Sequence, residues 1–154
     1  MPGRIAARLA ELGLELPPAP MPAANYVPYV VTGNLVFIAG QVSGNAQGHH
    51  KGKLGAELTV EQGQAAAKAC ALNILAQLAA ACGGDLDRVK RAVKLGGFVN
   101  CVPEFDQMPA VVNGASDLMV AVLGDAGRHA RFAVGAPNLP MNYAVEIDAV
   151  FEIA

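Results

Sequence analysis

The sequence predicts a single α+β domain in which a β-sheet carries two long helices on one face. Three observations predict it. Residues 59–82 read as one long helix, opened by a capping signal at Thr59 and closed by Gly83-Gly84. Residues 26–31 and 35–42 are apolar, β-rich runs joined by Thr32-Gly33-Asn34, which is a hairpin signal. Near the C-terminus Val145, Ile147, Ala149 and Phe151 alternate with Glu146, Asp148 and Glu152, as in a strand with one buried face. At 154 residues the chain has the length of one domain and can bury a sizeable core.

The elements follow in order. Residues 3–12 place Ile5, Leu9 and Leu12 at helical spacing, and Gly13 can stop that helix. Residues 16–22 hold four prolines and read as an extended linker. Residues 1–24 are therefore expected to be an N-terminal helix and Pro-rich linker ahead of the main domain at 25–154. Pro28 lacks an N–H, so the first β-run belongs at an edge or a bulge. The Gly-, polar- and His-rich residues 43–56 read as a loop. In the long helix Thr59 and Gln62 fit a capping box, and Leu72, Leu75 and Leu78 continue the apolar pattern. Residues 89–99 suit a strand in which Gly96-Gly97 marks a bulge or a close backbone approach. Pro109 suits the first turn of a second helix, 109–123, ended by Gly124. Residues 131–136 and 143–153 are strand-like and joined through Pro137-Asn138-Leu139-Pro140. The uncovered face of such a sheet is apolar enough for a neighbouring subunit to cover.

Composition excludes several function classes. The chain is 53% hydrophobic and 16% charged with a net charge of −2, which excludes a disordered chain. No stretch approaches ~20 uncharged apolar residues, so no membrane span is expected. Lys and Arg are scattered, and the densest group (Arg88, Lys90, Arg91, Lys94) is interrupted by acids nearby at Asp85 and Asp87, so no nucleic-acid partner is expected. Sparse charge instead points to subunit contacts. Cys70, Cys82 and Cys101 have no close pair and read as buried reduced thiols. His49 and His50 are adjacent and would face opposite ways on a strand, with no accompanying cluster to make a metal site. The first 13 residues carry Arg4, Arg8 and Glu11 and no apolar core run, so a cytoplasmic location is expected.

The C-terminal third holds the chemically informative residues. Arg131 opens an apolar strand, and a guanidinium is a planar bidentate clamp for a carboxylate. Glu146 lies among apolar neighbours, where a partly buried carboxylate can orient or activate water. Spacing alone equally allows an Arg–Glu ion pair across two paired strands, or two solvent-facing residues. His129, just before the strand, reads as a loop or strand-start residue.

Residues 127–151, an Arg-led strand, then Leu139-Pro140, then Val145-Glu146-Ile147, resemble the C-terminal signature of the RidA/YjgF family of reactive-intermediate deaminases. Gly33-Asn34 followed by an apolar strand ending in Gly40-Gln41 is similar to a second family element, and the resemblance runs from about Asn25 to the C-terminus. It implies a chorismate-mutase-like α+β fold with a mixed sheet, and a homotrimer with ligand clefts between subunits. It implies hydrolysis of 2-imino and enamine acids to 2-keto acids and ammonia, with no metal or organic cofactor. By the same resemblance Arg131 matches the carboxylate-binding arginine and Glu146 the water-positioning glutamate. Asn113 matches a cleft asparagine, and Ala133 stands where a cysteine is common and contributes backbone groups. Counting back from Gly33 makes Tyr26 the cleft tyrosine, while the Pro-Tyr pair points to Tyr29; Tyr26 is preferred. His129 stands where many members have proline, and the segment from Phe105 to Asn113 is longer than in short members, which suggests a divergent subgroup. Three other functions compete with this one: binding of small keto or amino acids without catalysis; a ribonuclease, which the acidic balance disfavours; and chorismate mutase chemistry, which rests on fold likeness alone and is discounted.

Overall fold

The computed structural model describes residues 3–22 and 24–154. A five-stranded mixed sheet has the order β1-β2-β7-β5-β6, from β1 (Tyr29–Thr32), β2 (Leu35–Val42), β5 (Val89–Asn100), β6 (Ala130–Ala136) and β7 (Val145–Ile153). Every pairing is antiparallel except that of β5 with β6, which a helical crossover joins in parallel. Helices α2 (Val60–Ala81) and α3 (Met108–Leu123) pack against each other and against one face of this sheet. The core between the layers holds Ile74, Leu75, Leu78, Leu95, Met119, Ile147 and Phe151, all essentially inaccessible.

Local chemistry explains the boundaries. Thr59 and Gln62 form the reciprocal capping box at the start of α2. Pro109 sits in the first turn of α3. Strand β1 begins after Pro28, whose carbonyl nevertheless accepts from the Ala39 amide at 2.9 Å. Gly33 turns the β1–β2 hairpin with φ 59°, a left-handed value that costs glycine little.

One expectation is corrected, and one open alternative is decided. Residues 43–56 are not all loop: β3 (Gly44–Asn45) and β4 (Gly48–His49) pair as a small hairpin. Gly96-Gly97 is not a bulge, because the register with β7 is regular there and shifts instead between Val89 and Lys94. The pair is the other alternative, a close approach. A Cβ on Gly97 would lie 2.8 Å from a Val112 methyl of α3, and one on Gly96 would strike the Phe132 ring on the opposite face.

The N-terminal helix α1 (Arg4–Glu11) buries Ile5 and Leu9 and packs on α3. It has no side-chain cap of its own. Asp87 supplies one from a distant turn, accepting from the Arg4 and Ile5 amides at 2.8 and 2.9 Å. The Pro-rich stretch after it is held down by Gln47 and Gln77, which donate to the Glu15 and Pro20 carbonyls. On the sheet face away from the helices Val30, Phe37, Phe98 and Val134 are exposed. Phe98 meets Phe132 there edge to face at 5.3 Å.

Candidate functional site

Alternation along β6 aims Arg131 and Ala133 toward α3. The Arg131 guanidinium is fixed there: Nη1 donates to Ser116 Oγ at 3.1 Å and Nη2 to the Pro109 carbonyl at 3.3 Å. Ser116 also lies 2.9 Å from His129 Nε2, and His129 Nδ1 lies 2.6 Å from the Gly127 carbonyl. Asn113 falls between Pro109 and Ser116 on the same helical stripe and is exposed. Gly114 lets this part of α3 approach α2, since a Cβ there would lie 2.8 Å from the Gln64 carbonyl carbon.

Glu146 belongs to a different neighbourhood. Its flanking residues Val145 and Ile147 are buried against the helices, so Glu146 faces the other side of the sheet. There it lies over Gly40, where a Cβ would overlap its carboxylate. This gives the Gly40-Gln41 pair a physical reason: the glycine makes room for Glu146 at a break in the β2–β7 register. Burial, and then the neighbouring Asp148 carboxylate, raise the Glu146 pKa above the ordinary carboxylate value. A depression of about 190 Å³ opens beside it, lined also by Tyr26, Gln41, Asn73 and Met141 and, from the N-terminal segment, by Pro20. Met141 and Asn142 both take positive φ, 55° and 60°, in the turn at its rim. Tyr29 instead lines a separate shallow depression with Phe37.

The predicted site residues thus divide into two groups within one chain. Arg131, Asn113 and Ala133 share the α3–β6 edge, while Tyr26 and Glu146 share the β2–β7 depression. The ion pair that spacing alone allowed does not occur, because β5 separates β6 from β7 and the two side chains face opposite ways. Among the described residues no carboxylate lies within ion-pair distance of Arg131. A larger cavity, about 520 Å³, contains neither Arg131 nor Glu146. It is apolar, lined by Cys101, Phe105, Met108 and Gly135, and Lys53 closes one side.

Sequence reasoning missed Ser116 and the role of His129. Both were in reach, since Ser116 lies on the Pro109–Asn113 stripe and His129 two residues before Arg131. It read the thiols as buried, and all three are free and buried. Burial raises each pKa, that of Cys70 the most, which makes them poor nucleophiles. His49 pairs with the Tyr143 hydroxyl at 2.9 Å. Among the described residues no cluster of three His, Cys, Asp or Glu could hold a metal, and no helix is long and apolar enough to cross a membrane.

A family model described as "YjgF/chorismate mutase-like, putative endoribonuclease" matches residues 6–152. The chain belongs to the RidA/YjgF family. It is 54% identical over 153 residues to Protein TCP17 of Trypanosoma cruzi, covering 98% of this chain and 95% of that one. A structure from Agrobacterium tumefaciens, titled as a protein of unknown function, superimposes with a TM-score of 0.91 at 49% identity, over 97% of this chain and 92% of that one. RidA from an Antarctic Psychrobacter superimposes with a TM-score of 0.60 at 29% identity, over 88% and 94%. The family fold is therefore the α+β arrangement described above, and the A. tumefaciens protein shares its shape more fully than RidA does.

Proposed function

We propose that the protein hydrolyses 2-imino and enamine acids to 2-keto acids and ammonia, in a cleft between subunits of a homotrimer. The observation that carries this reading is the Arg131 guanidinium, which is held by two neutral acceptors and, among the described residues, has no carboxylate within ion-pair distance. Two of its five N–H groups are used and three remain, enough for bidentate capture of a substrate carboxylate. Asn113 and backbone groups near Ala133 line the same edge and would orient the substrate.

Glu146 supplies the proton chemistry. A carboxyl raised above its ordinary value suits a group that takes a proton from water and returns it. An enamine first becomes the imine by taking a proton at its β carbon. Glu146 takes a proton from water as the water oxygen bonds to the imine carbon, and returns it to the nitrogen. The hydroxyl of the resulting carbinolamine then gives its proton to the same nitrogen, the carbon–nitrogen bond breaks, and ammonia leaves the 2-keto acid. One chain presents Arg131 and Glu146 on opposite faces, so the cleft takes Arg131 from one subunit and Glu146 with Tyr26 from the next. The apolar sheet face around Phe37 and Phe98 provides the assembly surface.

The test is a coupled assay. An amino-acid oxidase generates 2-iminopropionate and longer imino acids, and keto-acid and ammonia release are timed with wild type and Arg131→Ala. Faster release with wild type and loss in the variant support the proposal. No acceleration from an intact assembly that still binds 2-keto acids through Arg131 would make this a binding protein.

A further inference from the structure

Ser116 and His129 touch each other and Arg131, and the proposed reaction gives neither a task. We propose that they form a hydrogen-bonded relay that fixes the Arg131 guanidinium in the orientation that receives a carboxylate. They are positioning residues, and this role rests on the reading of Arg131 as the carboxylate anchor.

Each bond direction follows from the far end of the relay. The Gly127 carbonyl can only accept, so the hydrogen of a neutral His129 resides on Nδ1, 2.6 Å away. Nε2 then presents a lone pair, and the Ser116 hydroxyl donates to it at 2.9 Å. With its one hydrogen committed, Ser116 Oγ faces Arg131 as an acceptor only and receives Nη1 at 3.1 Å. Without His129 the hydroxyl is free to rotate and to point its hydrogen elsewhere. The anchor is itself rigid: Gly127 is buried against α3, where a Cβ would lie 2.6 Å from the Met119 carbonyl carbon. The relay therefore ties β6 to the middle of α3 through Ser116, and Arg131 itself ties it to the first turn through Pro109. A guanidinium held in advance loses less rotamer freedom on clamping a ligand than a free one.

The test uses the full chain and two readouts. The first is the dissociation constant for 2-oxobutanoate, a stable keto acid. The second is ¹⁵N relaxation at Arg131 Nε, which reports the order of that side chain with no ligand present. Ser116→Ala and His129→Phe are expected to weaken binding by about five- to tenfold, the size of one net hydrogen bond, and to mobilise Arg131. Ser116→Thr keeps the hydroxyl and is expected to restore both readouts. His129→Leu, which is smaller and also lacks an acceptor, is the second variant should His129→Phe fold poorly. If turnover is measurable, KM should rise more than kcat falls. Wild-type affinity and order in Ser116→Ala and in His129→Phe or His129→Leu, with binding lost in Arg131→Ala, would overturn the relay and leave the anchor standing. An ordered Arg131 in a wild type that binds no 2-oxobutanoate would overturn the anchor, and with it the role given to the relay.

Discussion

Arg131 and Glu146 lie on opposite faces of one sheet, two strands apart. Arg131 bonds to α3 on the helix side, and Glu146 lies over Gly40 on the other. No rotamer change in a single chain can bring them to one small substrate. A site that uses both needs two copies of the chain.

Mixing two inactive variants is expected to restore activity. Arg131→Ala retains Glu146, and Glu146→Gln retains Arg131, so a mixed form of the proposed trimer would contain one complete cleft out of three. Random reassembly of equal amounts should return about a quarter of wild-type activity, by the counting of a closed ring. Co-refolded protein that stays as inactive as either parent would sink the intersubunit cleft.

Glu146→Gln is expected to stabilise the protein at neutral pH. The folded pKa of Glu146 lies above the unfolded one. Below the unfolded value the side chain is protonated in both states and ionisation has no effect on stability. As pH rises the unfolded chain ionises first, so stability falls until the pH passes the folded value. Urea unfolding at roughly pH 3.5 and 7.5 should show the variant gaining on wild type only at the higher pH. A variant no more stable than wild type at pH ~7.5 would contradict the buried cost of this carboxylate.

Gly114→Ala should loosen the helix layer. The added Cβ meets the backbone of Gln64, which cannot move aside as a flexible side chain would. Overpacking of this kind costs about 1–3 kcal/mol. Because Ser116 and Asn113 ride on the same turn, keto-acid binding should weaken along with the urea midpoint. Unchanged stability would mean that α2 and α3 separate without penalty.

Asp87→Ala should release α1 while leaving the sheet intact. The Asp87 pKa is lowered by the amide of Ile5 and then by that of Arg4. The stabilisation is therefore present above the ordinary carboxylate value and lost as pH falls through the folded one. Amide exchange across residues 4–11 should accelerate in the variant at neutral pH, with β5 and β7 unchanged. Equal exchange would show that Ile5 and Leu9 hold the helix without the cap.

Much of the architecture was legible because its signals are local. The Thr59 capping box, Pro109 at a helix start and the alternation from Val145 to Phe151 each act within a few residues, and each appears where expected. The short β3–β4 hairpin was not legible, since two-residue strands carry no periodicity. The choice at Gly96-Gly97 was not legible either, because a bulge and a close approach both call for glycine. For the candidate site, the sequence singled out Arg131 and Glu146 but did not show Ser116 beside Arg131 or Pro20 beside Glu146.

The sequence by itself determined the α+β class, the helix caps, the strand alternation and the family signature at 127–151, because propensity, capping and side-chain period are properties of neighbouring residues. Only the tertiary structure decided that β5 intervenes between β6 and β7, that Asp87 caps a helix more than 80 residues away, and that Arg131 is fixed by Ser116. Those facts depend on strand order and on which face each side chain takes. Both are settled by burying the apolar side of every element in one core, a condition on the whole chain at once.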